Sequence, residues 1–346
     1  MMKNVLALTL LMLYVVFPLL AQEEVDEQEK RTLIQEIAQI LEDNYVFPDK
    51  AKAMSELILQ ASNKGKYAGL SDPQLLAQQL TDDLQSISHD RHLRVLYEPE
   101  RILRAQQSTT PADSLKRQQA YQQWLKETNY GFKEVEILPG NIGYLNITRF
   151  SEPELASAKA DAMIELLKDT DAIIFDLRQN GGGTPQMVQY IISYFFSGDP
   201  FLLNSFYKRE GNYIKQFWTL PHPSAKRLPK VKLYVLTSKR TFSAAEEFAY
   251  DLQHLRRAKI VGETTGGGAH PGGRITLSPK FNLWTPTARA INPITGTNWE
   301  GTGVLPDLQV NAADALKTAQ LAALQYLKEE KGTTDYDPLI EKIQTQ

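Results

Sequence analysis

Past an apolar opening stretch, the pattern of hydrophobic and polar positions reads first as helices, then as alternating strands and helices. Leu33, Ile34, Ile37, Ile40 and Leu41 fall on one face of a helix that ends near Tyr45-Val46-Phe47-Pro48. Met54, Leu57 and Ile58 continue a second helix, and Ser71-Asp72-Pro73 opens a third whose stripe is Leu75, Leu76, Leu80 and Leu84. The period then changes, and His92 to Tyr97 has the character of a strand. Residues 101–130 are polar and fit a mobile connection or a surface helix around Tyr121 and Trp124. From Val135 onward strands (Ile142–Ile147, Ala172–Leu177, Val231–Leu236, Ile260–Gly262) alternate with helices (Glu152–Leu167, Met187–Phe196, Ser243–Leu255). That order predicts an α/β layered domain with crossover connections. The expected organisation is a helical domain leading into a strand over 22–100, a connecting segment over 101–134, a catalytic α/β core over 135–312, and a C-terminal helix and tail over 313–346.

Residues 1–21 read differently. Lys3 precedes an apolar run from Val5 to Leu20, and Leu19-Leu20-Ala21 offers a small-residue cleavage site, so a signal peptide and a periplasmic or secreted location are expected. A single membrane anchor is the rival, for which the run is slightly short of the roughly 20 residues a spanning helix needs. No stable membrane insertion is expected after cleavage. The chain has no Cys, which removes disulfides, thiolate metal sites and a Cys nucleophile. A net charge of −3 without a long basic run argues against a nucleic-acid partner.

Three segments carry candidate chemistry, all at strand ends, where open α/β sheets bind ligands. In Asp176-Leu177-Arg178-Gln179-Asn180-Gly181-Gly182-Gly183, the glycines let backbone N–H groups approach an oxyanion or a phosphate. No Gly-Lys-Ser/Thr follows, so the phosphate reading is the weaker, and a tight turn without a ligand stays open. In Thr241-Phe242-Ser243-Ala244-Ala245-Glu246, Ser243 stands at a helix entry. It reads as an N-cap in a capping box with Glu246, or as a nucleophile beside the Ala244 amide. Trp299-Glu300-Gly301-Thr302-Gly303-Val304-Leu305-Pro306-Asp307 is a turn in which Glu300 is ordinarily only solvated.

The ordered set Asp-Leu-Arg-x-Asn-Gly-Gly-Gly, Thr-Phe-Ser-Ala-Ala-Glu-Glu-Phe, Gly-Glu-Thr-Thr-Gly-Gly-Gly and Gly-Val-x-Pro-Asp resembles the C-terminal-processing (tail-specific) serine peptidase superfamily over about residues 30–312. Within it the chain looks nearest to the branch of tricorn protease and the interphotoreceptor retinoid-binding protein modules. The resemblance implies a crotonase-like (ClpP/crotonase-type) layered α/β core and hydrolysis of peptide bonds in exported polypeptides. No cofactor is expected, and no metal: His89 and His92 have a spacing that could hold one on a helix, but the local pattern is turn-to-strand and Cys is absent. Processing members use a Ser–Lys dyad, but Gly268 occupies the Lys position. The tricorn-like arrangement instead implies Ser243 as nucleophile, His92 of Asp90-Arg91-His92-Leu93 as general base and Glu300 as supporting carboxylate. It implies an oxyanion hole from Ala244 with Gly182 or Gly183, and substrate contacts from Arg178, Asn180, Gly181 and His270. His270 is also an alternative base. In tricorn a hydroxyl residue links the His to the Glu. Arg91 stands there, leaving direct contact, Ser88, a water or another hydroxyl as the link.

The connecting segment is too short for the PDZ domain that processing members carry, so the core must hold the peptide. Phe281-Asn282-Leu283-Trp284 and the stretch to Ile291 are the expected edge for strand addition. The rival function is a non-catalytic module for a hydrophobic ligand of retinoid or fatty-acid type, since one scaffold can host both. The oligomeric state is not legible.

Overall fold

The computed structural model describes residues 24–107, 110–221 and 227–345. The expected signal peptide and His222 lie outside them. Among the described residues no helix is long and apolar enough to cross a membrane.

Helices α1 (Glu27–Asn44), α2 (Pro48–Asn63) and α3 (Pro73–Ser88) form the first unit. Asp26 and Asp72 cap α1 and α3 by accepting their first free N–H groups. Their apolar stripes bury Leu33, Ile37, Leu41, Met54, Ile58, Leu76, Leu80 and Leu84 against each other. Burying one such side chain contributes roughly 1.5–3 kcal/mol, enough to offset the ordering of about one residue, so the unit depends on the whole set of stripes. Strand β1 (Arg94–Tyr97) follows. Helices α4 (Pro99–Gln107) and α5 (Pro111–Glu127) occupy the polar connection; Tyr121 stacks on Trp124 there, as a surface helix would require.

The remaining elements are β2 (Phe132–Leu138), β3 (Ile142–Ile147), α6 (Pro153–Leu167), β4 (Ala172–Asp176), α7 (Pro185–Ile192), β5 (Leu202–Lys208), β6 (Tyr213–Trp218), β7 (Lys232–Thr237), α8 (Ala244–His254), β8 (Ala258–Gly262), β9 (Gly272–Thr276), β10 (Phe281–Pro286), β11 (Ala288–Ile291), β12 (Leu308–Gln309), α9 (Ala315–Lys331) and α10 (Asp337–Thr345). The main sheet runs β12-β8-β7-β4-β3-β2, parallel except for the antiparallel pair β2–β3. Its inner strands β3, β4, β7 and β8 are largely buried, which explains their near-continuous apolar runs. Ile173, Phe175, Leu233, Val235 and Ile260 meet α6, α7 and α8 on one face. Ile142, Ile174, Tyr234, Leu236 and Val261 meet α9 and α10 on the other. The result is the three-layer α/β core preceded by helices that the chain's order predicts.

Two small sheets, β1-β10-β9 and β11-β5-β6, flank it. The first joins the two units, since Val95 pairs with Leu283 and carries the segment just before β1 onto the core. One expectation is corrected here. Residues 281–286 are the middle strand of their sheet, with β1 and β9 using both sides of the backbone; the outer strands of the two small sheets are β1, β9, β6 and β11, so of the expected stretch only Ala288–Ile291 lies at an edge.

Candidate active site

Ser243 lies between β7 and α8, and the glycine run lies between the adjacent parallel strand β4 and α7. Both loops therefore emerge at one end of the sheet. Short polar side chains stitch them together. Ser238 Oγ donates to Arg178 O (2.6 Å), Thr241 Oγ1 to Leu177 O (2.8 Å), and Phe242 N–H to Asn180 O (3.1 Å). Sequence reasoning missed these two hydroxyls because Ser and Thr in a turn look like ordinary solvated residues.

Ser243 itself sits at φ 57°, ψ −123°, outside the regions a residue with a Cβ prefers. Such a conformation costs on the order of 1–3 kcal/mol and persists only where neighbours hold it. Here Glu246 is the holder. Its buried carboxylate accepts from Ser243 N–H (2.8 Å), Gly267 N–H (2.6 Å), Gly268 N–H (2.8 Å) and Thr265 Oγ1. Glu246 thus does more than close a capping box. It ties the Ser243 turn to the glycine loop between β8 and β9. Burial pushes its carboxyl up to about 7 against the pull of those donors.

Gly182 packs against the Ser243 turn so closely that a Cβ would come within 2.9 Å of Ser243 Cβ and 3.2 Å of Ala244 N. Its N–H, however, is spent on Asn180 Oδ1 at 2.8 Å. The expectation that Gly182 supplies an oxyanion donor is therefore corrected. Ala244 and Gly183 line a cavity of about 40 Å3 with Ser243, and neither amide has an acceptor among the described residues. The Ala244 amide is free because the first N–H groups of a helix have no internal partner. Gly183 at φ 145° faces Phe150 across an isolated bridge, where a Cβ would lie 2.0 Å from Phe150 O.

Two further expectations change. Arg178 turns to the structure, its guanidinium forking onto Asp176 (2.6–3.1 Å) and donating to Ala312 O at 2.7 Å. Fully buried Asn180 donates to Ile147 O at 3.0 Å while accepting from Gly182. Neither side chain is left for a substrate. The buried Asp176 carboxylate at the strand end attracts Arg178, and Asn180 shapes the turn. Gly181 is open, with nothing near the place of a Cβ.

His92 arrives from the other unit. The chain leaves α3 through His89 at φ 57°, and Asp90 Oδ1 accepts His92 N–H at 3.0 Å, a local turn that presents the imidazole. The ring rests 4.6 Å from that of Phe242, the residue before Ser243, and a Cβ on Gly268 would lie 2.8 Å from its Cε1. No hydrogen bond joins the His92 ring to Ser243, and His92 Nδ1 is buried without a partner. Burial holds the imidazole down to about 4, with the charge of Asp90 opposing it, so it is neutral at neutral pH.

Behind His92 stands a carboxylate pair. Asp90, His92 and Glu300 place one oxygen or ring nitrogen each within 4.8 Å of one another. Glu300 Oε2 accepts from Ala269 N–H at 2.6 Å, and the Arg91 main-chain N–H also supports the carboxylate, while Oε1 is buried and unpartnered. Burial, then the charge of Asp90, push Glu300 up to about 7. Arg91 thus contributes its backbone where a linking hydroxyl was expected. Ser88 is occupied in accepting Asp90 N–H at 3.2 Å. Asp90, to which the sequence assigned no role, is a centre: it takes His270 Nδ1 at 2.7 Å and the Tyr45 hydroxyl at 3.2 Å. His270 is set by Asp90 and Glu300 (3.3 Å) and lines a different cavity from Ser243.

The layered α/β core thus holds a strained serine at a helix entry beside two free amides, with the His92 imidazole against the preceding residue, Phe242. A family model described as peptidase family S41 matches residues 141–310. A second, described as the N-terminal domain of peptidase S41 in eukaryotic IRBP, matches residues 27–139. The chain belongs to peptidase family S41. The carboxy-terminal processing protease CtpB of Bacillus subtilis is 26% identical over 205 residues, covering 58% of this chain and 41% of that protein, so the match spans less than half of the relative's length. A candidate peptidase from Parabacteroides merdae superposes with TM-score 0.59 at 18% identity, covering 85% of this chain and 96% of the other. Tricorn protease superposes with TM-score 0.54 at 16% identity over 92% of this chain and 37% of its own. At these identities the superpositions establish the fold.

Proposed function

We propose that the protein is a serine peptidase of exported polypeptides in which Ser243 attacks, His92 carries the proton and Glu300 supports the imidazolium. The observation that carries this reading is the strained Ser243 turn, whose hydroxyl-bearing residue shares one small cavity with the free amides of Ala244 and Gly183. Peptide hydrolysis needs these parts in this order. The Ser243 oxygen bonds to the scissile carbonyl carbon as its proton passes to neutral His92, and the carbonyl oxygen takes the negative charge. The two amides and the α8 N-terminus stabilise that charge, a contribution of about 3–4 kcal/mol per donor in comparable sites. The imidazolium gives its proton to the departing amine, leaving an acyl ester on Ser243. Water then repeats the sequence and releases the carboxylate.

The His92 ring lies 4.6 Å from that of Phe242, the residue before Ser243, and a catalytic contact of this kind commonly tightens only when substrate is bound. The hydrophobic-ligand reading is less well supported. The cavity at Ser243 holds about 40 Å3, and the 560 Å3 cleft beside it is lined by Lys50, Arg289 and Glu300, neither of which suits a long apolar molecule. Comparing wild type with Ser243→Ala on a mixed peptide library tests the proposal: cleavage by the first and none above background by the second is expected. Equal turnover by both would refute it. Export is supported by the apolar N-terminal stretch and is tested by locating the processed protein in cell fractions.

A further inference from the structure

The 560 Å3 cleft adjoins the Ser243 cavity. Ala269 and Trp299 line the small cavity, and their chain neighbours His270 and Glu300 line the large one. Of its lining, the peptidase reading uses only Glu300. Its wall is built around Phe47, at the entry to α2. The Arg289 guanidinium, from β11, lies 5.0 Å from the Phe47 ring and 5.2 Å from that of Tyr207. Held between two aromatic faces, the fork loses little freedom when it binds something. Arg289 Nε is buried with no hydrogen-bond partner. Lys50 Nζ sits 5.6 Å from the same Phe47 ring and donates to Ser88 O at 3.0 Å. Neither cation is ion-paired to a carboxylate among the described residues. Thr297 and Thr302 add hydroxyls to the lining.

Two fixed cations without counter-ions, one with an unmet donor, are arranged to receive an anion. A carboxylate is the anion that a peptide brings, and its two oxygens match the guanidinium fork. We infer that the cleft walled by Phe47, Lys50 and Arg289 is a carboxylate-binding subsite for a polypeptide ligand. The choice of a polypeptide as carrier rests on the peptidase reading; the charge and geometry do not. Its carboxylate can come from a free C-terminus or from an Asp or Glu side chain.

The test uses full-length Ser243→Ala protein, so that binding is read without turnover. Three six-residue peptides of one sequence are titrated by calorimetry: a free acid, its C-terminal amide, and an amide carrying one internal Glu. At least one carboxylate peptide should bind about tenfold more tightly than the plain amide, and which one does identifies the source. Adding Arg289→Gln should reduce that advantage to within about twofold. Lys50→Gln, which disturbs a single carbonyl contact, should weaken it severalfold and serves as the check if Arg289→Gln misfolds. Equal affinity for all three peptides, or an advantage that survives both substitutions, would overturn the inference, as would displacement of the peptide by inorganic phosphate more strongly than by acetate. Loss of cleavage by wild-type protein with carboxylate-dependent binding intact would sink the peptidase reading and leave the subsite standing.

Discussion

Besides Glu246, helix α8 carries two carboxyls, Glu247 and Asp251, one turn apart and buried in the core beside the catalytic turn. Asn204 Nδ2 donates to Glu247 at 3.2 Å and Asn292 Nδ2 to Asp251 at 3.3 Å, while Asp251 Oδ2 has no partner. Burial pushes Glu247 up to about 8, and burial plus the neighbouring charge of Glu247 push Asp251 well above its ordinary value. A carboxyl whose folded-state value is raised binds its proton more tightly in the folded chain. Its stabilisation is therefore complete below the unfolded value of 4.5 and is lost as pH rises toward about 8. Each unit corresponds to about 1.4 kcal/mol, so at pH 7 the Glu247 carboxyl costs up to about 3 kcal/mol relative to acid conditions. Asp251 shares the proton and reduces the part that belongs to Glu247 alone. Glu247→Gln keeps the shape and an oxygen for Asn204, and its amide can donate to Asp251. The variant should be more stable than wild type at pH 8 by about 1–3 kcal/mol and equal to it near pH 4.5, read from urea unfolding across that range. A variant less stable at pH 8, or an unchanged slope of stability against pH, would refute the reasoning.

Three other outcomes follow from the same geometry. Gly268→Ala should lower kcat/KM at least about tenfold with the fold retained by circular dichroism, because the new Cβ would meet Phe242 at 2.3 Å and His92 at 2.8 Å; unchanged kinetics would show that His92 need not hold this place. Arg178→Gln should destabilise by about 3 kcal/mol in urea unfolding, since buried Asp176 would keep only its weaker partners; a loss of peptide affinity at full stability would restore Arg178 to substrate binding. The acid limb of kcat/KM should lie near pH 7, where Glu300 ionises, rather than near 4, where His92 takes its proton, and Asp90→Asn should move that limb downward by removing the charge that raises Glu300; a limb near 4 in both proteins would mean that ionised Glu300 is dispensable.

The fold was legible because it rests on long periodic stripes and largely buried inner strands. The Ser243 segment stood out by its place at a helix entry, whereas His92 and Glu300 were singled out by the family resemblance and not by their local pattern. What lay beyond reach were partnerships set by tertiary approach. Arg178 and Asn180 looked like ligand contacts because they flank glycines, yet Asp176 and the Gly182 amide lie nearer than any substrate could. Asp90 was read only as part of a motif, although a carboxylate two residues before a histidine is the signal for the turn that presents it. Glu246 looked like a helix cap, and its second task appears only once β8 brings Gly267 and Gly268 alongside. Strand order likewise cannot be read from one strand's pattern, which is why β10 was mistaken for an edge.

The account turns on Ser243 being an activated nucleophile. Incubating the protein with a fluorophosphonate and locating the adduct by peptide mass spectrometry tests this directly. A single phosphonyl ester on Ser243, formed at least about a hundredfold more slowly in His92→Gln, is the predicted result. Cleavage of peptides by a protein that carries no adduct on Ser243, or one attached to another residue, would contradict it.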